Sequence, residues 1–299
     1  MQRKLAGNWQ FHLLSTILKG HFMISPTEAQ GLLSQAKGII ANNGVFSNQI
    51  QELKEIDIRA FSAGSDDEVT AEVDTEQKRV VVLPVKGVML KYGTMCTYGM
   101  DEIAHYIRHF AAKENVSGIV LDIDTGGGAC NAVPPLLDAI NYTKSLNKPI
   151  VSAIDSAYSA GYWTAAATDR IFLDNDTVSG TGSIGVMISY LDPIPYYEKE
   201  GAKYHEVYAD QSPDKNKPFK EFLKGEYDLI RKEMLNPLAD KFHTAVKAGR
   251  PNLKYDAQGV LTGATFDAEQ SIALGLADQL GGLKAAIDYV NIQYWTNHK

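Results

Sequence analysis

The chain has 299 residues, 44% of them hydrophobic and 22% charged, with a formal net charge of -7. This is a globular composition, and its acidic balance argues against nucleic acid as the main partner, because phosphate contacts need a basic surface. Two cysteines, Cys96 and Cys130, cannot make a disulfide framework and lack the Cys-x-x-Cys spacing of metal or redox sites.

No run reaches the roughly 20 apolar residues needed to cross a bilayer. The stretch Phe11–Leu18 is too short for a signal peptide, contains His12 and lacks a small-residue cleavage site. The chain therefore reads as soluble and intracellular, with no stable membrane anchor. Residues 1–75 read as a helical N-terminal extension and linker. Thr27–Leu33 opens a capped helix after Pro26, and Ser62–Glu68 is polar and acidic enough for a linker.

Beyond it the character changes. Arg79–Val85, bounded by Gly87, is a β-branched run and a strand. Asp101 is placed as the cap of a helix with Ile103, Tyr106, Ile107 and Phe110 on one face. A strand over 118–123 ends in the turn Asp124-Thr125-Gly126-Gly127-Gly128. A second helix carries Val133, Leu136, Leu137 and Ile140, and a strand over 149–154 leads into a turn around Ser159. A small-residue helix at Thr164–Ala167 and a short strand at Arg170–Leu173 follow. Tyr204–Tyr208 is strand-like, and a late helix through Ile230, Met234, Leu238 and Phe242 should be kinked or shortened by Pro237. This rhythm implies βαβ units with right-handed crossovers and a mainly parallel sheet, whose functional loops lie beyond the carboxyl ends of the strands.

Three small-residue turns end strands: Asp124–Gly128, Ala157–Trp163 and Gly180–Val186. Such turns can bring backbone N–H groups against a reacting carbonyl with the Ser159 hydroxyl between them, which points to acyl transfer. Serine needs a base. None of His12, His21, His105, His109, His205, His243 and His298 lies in a turn suited to a catalytic imidazole, and Ala157 breaks the Gly-x-Ser-x-Gly elbow. A lysine can replace histidine where burial favours the neutral amine. Lys215, Lys217 and Lys220 cluster in one segment whose plain alternative is a solvated basic loop. Cys130 follows the glycine turn, but with no histidine at a matching motif it reads as a small buried hydrophobe.

Five segments in collinear order, over roughly residues 78–290, resemble the SppA-type signal-peptide-peptidase family of Ser/Lys peptidases. They are Val80–Gly87, Asp124–Ala129, Ser159–Trp163, Gly182–Val186 and the tail Gly263–Gly282. The resemblance implies a Clp/crotonase-like α/β fold of repeated ββα and βαβ units, with a mainly parallel sheet over residues 76–292. It implies Ser159 as nucleophile, the amides of Gly127 and Ala160 as oxyanion hole with Gly128 as the adjacent possibility, and Ser183 as the hydroxyl that holds the lysine amine. A turn-forming serine is the plain alternative for Ser183. Lys215 is expected as general base and Lys217 as the alternative, because Ser212–Phe219 departs from the family's spacing around its lysine. Ala160 in place of a glycine, and Thr125-Gly126 in place of Ser-Pro, are milder departures.

The same resemblance implies extended peptide or protein substrates, a homo-oligomeric ring and no cofactor. Unanchored relatives in phages and prophages process capsid and scaffold proteins, so a head-maturation peptidase acting in the bacterial cytoplasm or the prohead is placed first. A housekeeping signal-peptide peptidase is second. A crotonase-like acyl-CoA enzyme is a rival that would need a carboxylate in the site. Asp124 is the nearby candidate and reads better as a turn cap. A third reading is an inactive, ring-forming structural protein.

Overall fold

The structure is a computed structural model that describes residues 56–297, with gaps at 64–67, 70–76, 95–96, 191 and 193. Before them it describes residues 13–14, 21–23, 34 and 37–38. The expected Thr27–Leu33 helix and Cys96 lie outside the described residues.

Strands β1 (His21–Met23), β2 (Arg59–Ser62), β3 (Glu68–Val69) and β4 (Arg79–Lys86) precede helix α1 (Met100–Ala111) and strand β5 (Val116–Thr125). Then come β6 (Gly128–Ala129), α2 (Val133–Ser145), β7 (Ile150–Tyr158), α3 (Ala160–Ala166), β8 (Ile171–Leu173), β9 (Gly180–Gly182) and β10 (Met187–Ile188). The remainder is α4 (Ile194–Lys199), α5 (Lys217–Leu223), α6 (Asn236–Gly249), β11 (Thr265–Asp267), α7 (Ala268–Leu274), β12 (Gln279–Leu280) and α8 (Gly282–Asn297).

The main sheet runs β11-β9-β7-β5-β4-β2-β3, with β8 also on β7 and β12 on β8. Its centre is parallel, since β4 pairs with β5, β5 with β7, and β7 with β8 and β9 in that sense. This is the mixed, mainly parallel α/β architecture that the strand–helix rhythm implies. Both faces are covered, which explains why the strands read as unbroken apolar runs. Val81, Leu83, Ile119, Leu121 and Ile154 join the core formed with α1 and α2, whereas Val80, Val82, Val120 and Val151 meet Ala286, Ile287 and Val290 of α8. Burying each such aliphatic side chain stabilises the fold by about 1.5–3 kcal/mol. Across the strands, Arg59 of β2 and Lys86 of β4 both pair with Asp122 of β5, at 2.8 and 2.9 Å.

Several local expectations are corrected. Asp101 is not the cap of α1: Gly99 is, and its N–H donates to Glu102 Oε2 at 2.7 Å, so Asp101 lies inside the first turn. Ser62 belongs to β2 and Glu68 to β3, and β2 joins the main sheet by pairing with β4. The run Tyr204–Tyr208 forms no strand. It is irregular and exposed, with Val207 93% exposed, so its backbone groups are left to water rather than to a neighbouring strand. The late helix is not shortened at Pro237. A helical turn at Asp228–Ile230 passes through a π-helical turn, Arg231–Leu235, straight into α6, so the one irregular turn of the helix lies just before Pro237.

Candidate active site

Strand β7 ends at Tyr158, and α3 begins at Ala160. The one residue between them, Ser159, has φ 56° and ψ -116°. A non-glycine residue held there costs of order 1–3 kcal/mol, and its neighbours must enforce it. They do so from both sides: the Ser159 N–H donates to Gly182 O at 2.9 Å, and its carbonyl accepts from Trp163 N at 2.9 Å. Behind the turn, Trp163 stacks on Phe242 of α6 at 4.6 Å, and Tyr162 Oη donates to Leu276 O at 2.9 Å. Burial pushes the Tyr162 phenol up, so it stays a donor. Ala160 opens α3, so its N–H has no partner within the helix.

The glycine turn lies next to this elbow, because Thr125 is in register with Ala157 across β5 and β7. Asp124 does not cap it. Its carboxylate accepts from Ser156 Oγ at 2.6 Å across the strand pair. Thr125 makes the cap instead: its Oγ1 accepts the Gly127 N–H at 3.0 Å, a serine/threonine turn. The sequence marks Thr125 only as a departure from the family pattern. The signal for its role is a hydroxyl two residues before a glycine.

Gly127 has φ 107°, which a side chain would strain. Its amide is already used by Thr125. Gly127 O accepts from Met89 N, and Ala129 N donates to Met89 O, both at 2.9 Å. Strand alternation therefore turns the N–H and C=O of Gly128 to the opposite side. A Cβ on Gly128 would lie 2.1 Å from Met89 O, so only glycine lets the turn pack this closely.

Ser183 follows β9 as Ser159 follows β7, and the pairing of Tyr158 with Gly182 sets the two serines side by side. Ser183 also has positive φ, 53°, and donates its N–H to Ala264 O at 2.7 Å. The lysines are not brought to this point. Lys215 and Lys217 are exposed, Lys217 Nζ is 3.2 Å from Asp214 Oδ1, and no hydrogen bond among the described residues joins either amine to Ser159 or Ser183. Ser159 itself is only 2% exposed.

Cys130 is partly buried, and burial pushes its thiol up to about 12. At pH 8 only about 10⁻⁴ of it is thiolate. Iodoacetamide should therefore modify the Cys130 peptide orders of magnitude more slowly in the native protein than in denaturant, as read by peptide mass mapping. Fast native modification would contradict the burial.

The site is thus a strained serine at a strand–helix junction, beside a glycine turn, in an α/β protein. The model of Peptidase family S49 matches residues 143–296, and the chain belongs to that family. It is 28% identical to a protein of Enterococcus faecium named as a signal peptide peptidase SppA, over 74% of this chain and 65% of that protein. It is 23% identical to the capsid assembly protease C of Escherichia phage lambda, over 90% of this chain and 62% of that protein. The chain thus spans less than two thirds of the length of either relative. Among solved structures, a membrane-bound stomatin-specific protease matches at 18% identity over 67% of this chain and 78% of that one, with a TM-score of 0.37. No helix among the described residues is long and apolar enough to cross a membrane.

Proposed function

We propose that the chain is a serine endopeptidase with Ser159 as nucleophile and Lys215 as general base, acting in phage or prophage head maturation. The observation that carries the reading is the Ser159 elbow, with φ 56°, inside the segment matched to a peptidase family. Neutral Lys215 takes the hydroxyl proton as Oγ attacks the peptide carbonyl. The N–H groups of Gly128 and Ala160 hold the oxyanion. The lysine then protonates the departing amine, and water resolves the acyl-enzyme. Gly128 is favoured over Gly127 because the Gly127 amide is committed to Thr125.

Lys215 is favoured over Lys217, whose amine pairs with Asp214. A lysine serves as a base only where its surroundings favour the neutral amine, so this reading requires a second copy of the chain to close over the turn before α5. Exposed apolar residues in the same region, Tyr196 at 65%, Tyr204 at 59% and Val207 at 93%, suit such a contact. The test is covalent labelling by a fluorophosphonate, mapped by mass to Ser159. Lys215→Ala should slow labelling by at least about a hundredfold and Lys217→Ala by less than about threefold. The reverse pattern would make Lys217 the base.

The phage role draws support from coverage. Residues 1–75 are about a quarter of the chain, so the 90% matched to the phage lambda protease must include much of them. A housekeeping signal-peptide peptidase is the second reading, favoured by the Enterococcus relative. Cleavage of unfolded capsid or scaffold chains in preference to synthetic signal peptides separates the two.

A further inference from the structure

The described residues form a second sheet, ordered β10-β1-β6 and antiparallel throughout. Its central strand, His21–Met23, comes from the N-terminal segment. His21 and Phe22 pair with Ile188 and Met187 of β10, while Phe22 and Met23 pair with Ala129 and Gly128 of β6. β6 and β10 do not pair with each other; they stand two strand spacings apart, about 9.5 Å at ordinary strand separation. One edge of this slot is the glycine turn and the other follows Ser183 closely in the chain.

The direction of the backbone groups gives the slot its meaning. Gly127 O and Ala129 N face Met89, so the N–H of Gly128 faces β1, where its register partner is Met23. That N–H is the one assigned above to the oxyanion. Ser159, meanwhile, is 2% exposed.

We infer that His21–Met23 is an intramolecular ligand of the peptide cleft: β6 and β10 receive one extended strand, the chain's own segment fills that place, and a substrate must displace it. The inference rests on the Ser159 and Gly128 roles proposed above. Recognition is through main-chain hydrogen bonds on both sides, as in strand addition, so the displacing ligand is an extended peptide rather than a folded surface.

Phe22 pairs on both sides, so Phe22→Pro in the full chain removes an N–H from the centre of the strand. Fluorophosphonate labelling of Ser159 should be about tenfold faster in this variant than in the parent. Phe22→Gly, which keeps the N–H but weakens the strand, should give about a fivefold increase and covers the case in which the proline variant fails to fold. Measurable labelling at equal rates in parent and variants would overturn the inference. A second measurement needs no chemistry. In a Ser159→Ala background, a fluorescein-labelled peptide with the sequence of residues 19–27 should bind the Phe22→Pro or Phe22→Gly protein several-fold more tightly than the parent. Equal binding, or none to any of them, would overturn it. Tighter binding without labelling of any protein would instead reject Ser159 as nucleophile and leave the strand ligand standing.

Discussion

Ser159→Ala is expected to lower peptide hydrolysis by about 10³–10⁶-fold, with its melting temperature within about 2 °C of the parent. The size of the loss follows from the proposed role: in that mechanism no acyl-enzyme forms without the Oγ, and the amides assigned to Gly128 and Ala160 are left with no protein nucleophile to assist. The small effect on stability follows from the geometry. The bonds that hold this turn run through the Ser159 backbone, to Gly182 O and from Trp163 N, and alanine keeps both. Alanine also has the same difficulty as serine at φ 56°, so the strain is carried over unchanged. Steady-state cleavage of a fluorogenic peptide, beside a circular-dichroism melt, checks the two halves together. Hydrolysis retained at the parental rate would remove Ser159 from the mechanism.

Much of this arrangement is legible in the sequence, and the reasons are specific. The strands containing Ile119–Ile123 and Ile150–Ile154 stand out as apolar runs because both faces of the sheet are covered. Ser159 stands out because small residues surround it where a strand must turn sharply into a helix. What stays hidden depends on contacts between distant residues. The exposed segment Tyr204–Tyr208 alternates like a strand, but only a neighbouring edge could make it one. The π turn at Arg231–Leu235, just before Pro237, leaves no mark in the four-residue apolar spacing through Ile230, Met234, Leu238 and Phe242. The pairing of His21–Met23 with β6 and β10 is invisible for the same reason: three residues carry no periodicity, and their partners lie more than a hundred positions away. The lysine is the hardest case, since its role would depend on surroundings that one copy of the chain does not supply.

Asp278→Ala is expected to destabilise the protein by about 3 kcal/mol, a large loss for a single polar group. Asp278 lies in the tail that follows α7, and its carboxylate gathers three donors. Arg250 Nη1 and Nη2 bind its two oxygens at 2.8 Å each, and Ile171 N donates to Oδ2 at 2.7 Å. Arg250 Nε also reaches Gly275 O at 3.1 Å, so the pair clamps the tail against β8. Arg250 has only 7% of its side chain exposed, against 27% for Asp278. Removing the carboxylate therefore leaves a guanidinium out of water with no counter-charge, which costs more than the bond itself contributes. The effect should reach the elbow, because Leu276 in the same tail holds Tyr162 of α3. Urea melts monitored by circular dichroism give the loss directly. The double variant Arg250→Met with Asp278→Leu, which buries no charge, should recover a good part of it. If the double variant is no more stable than Asp278→Ala, the cost lies in lost packing of the tail and not in a stranded charge.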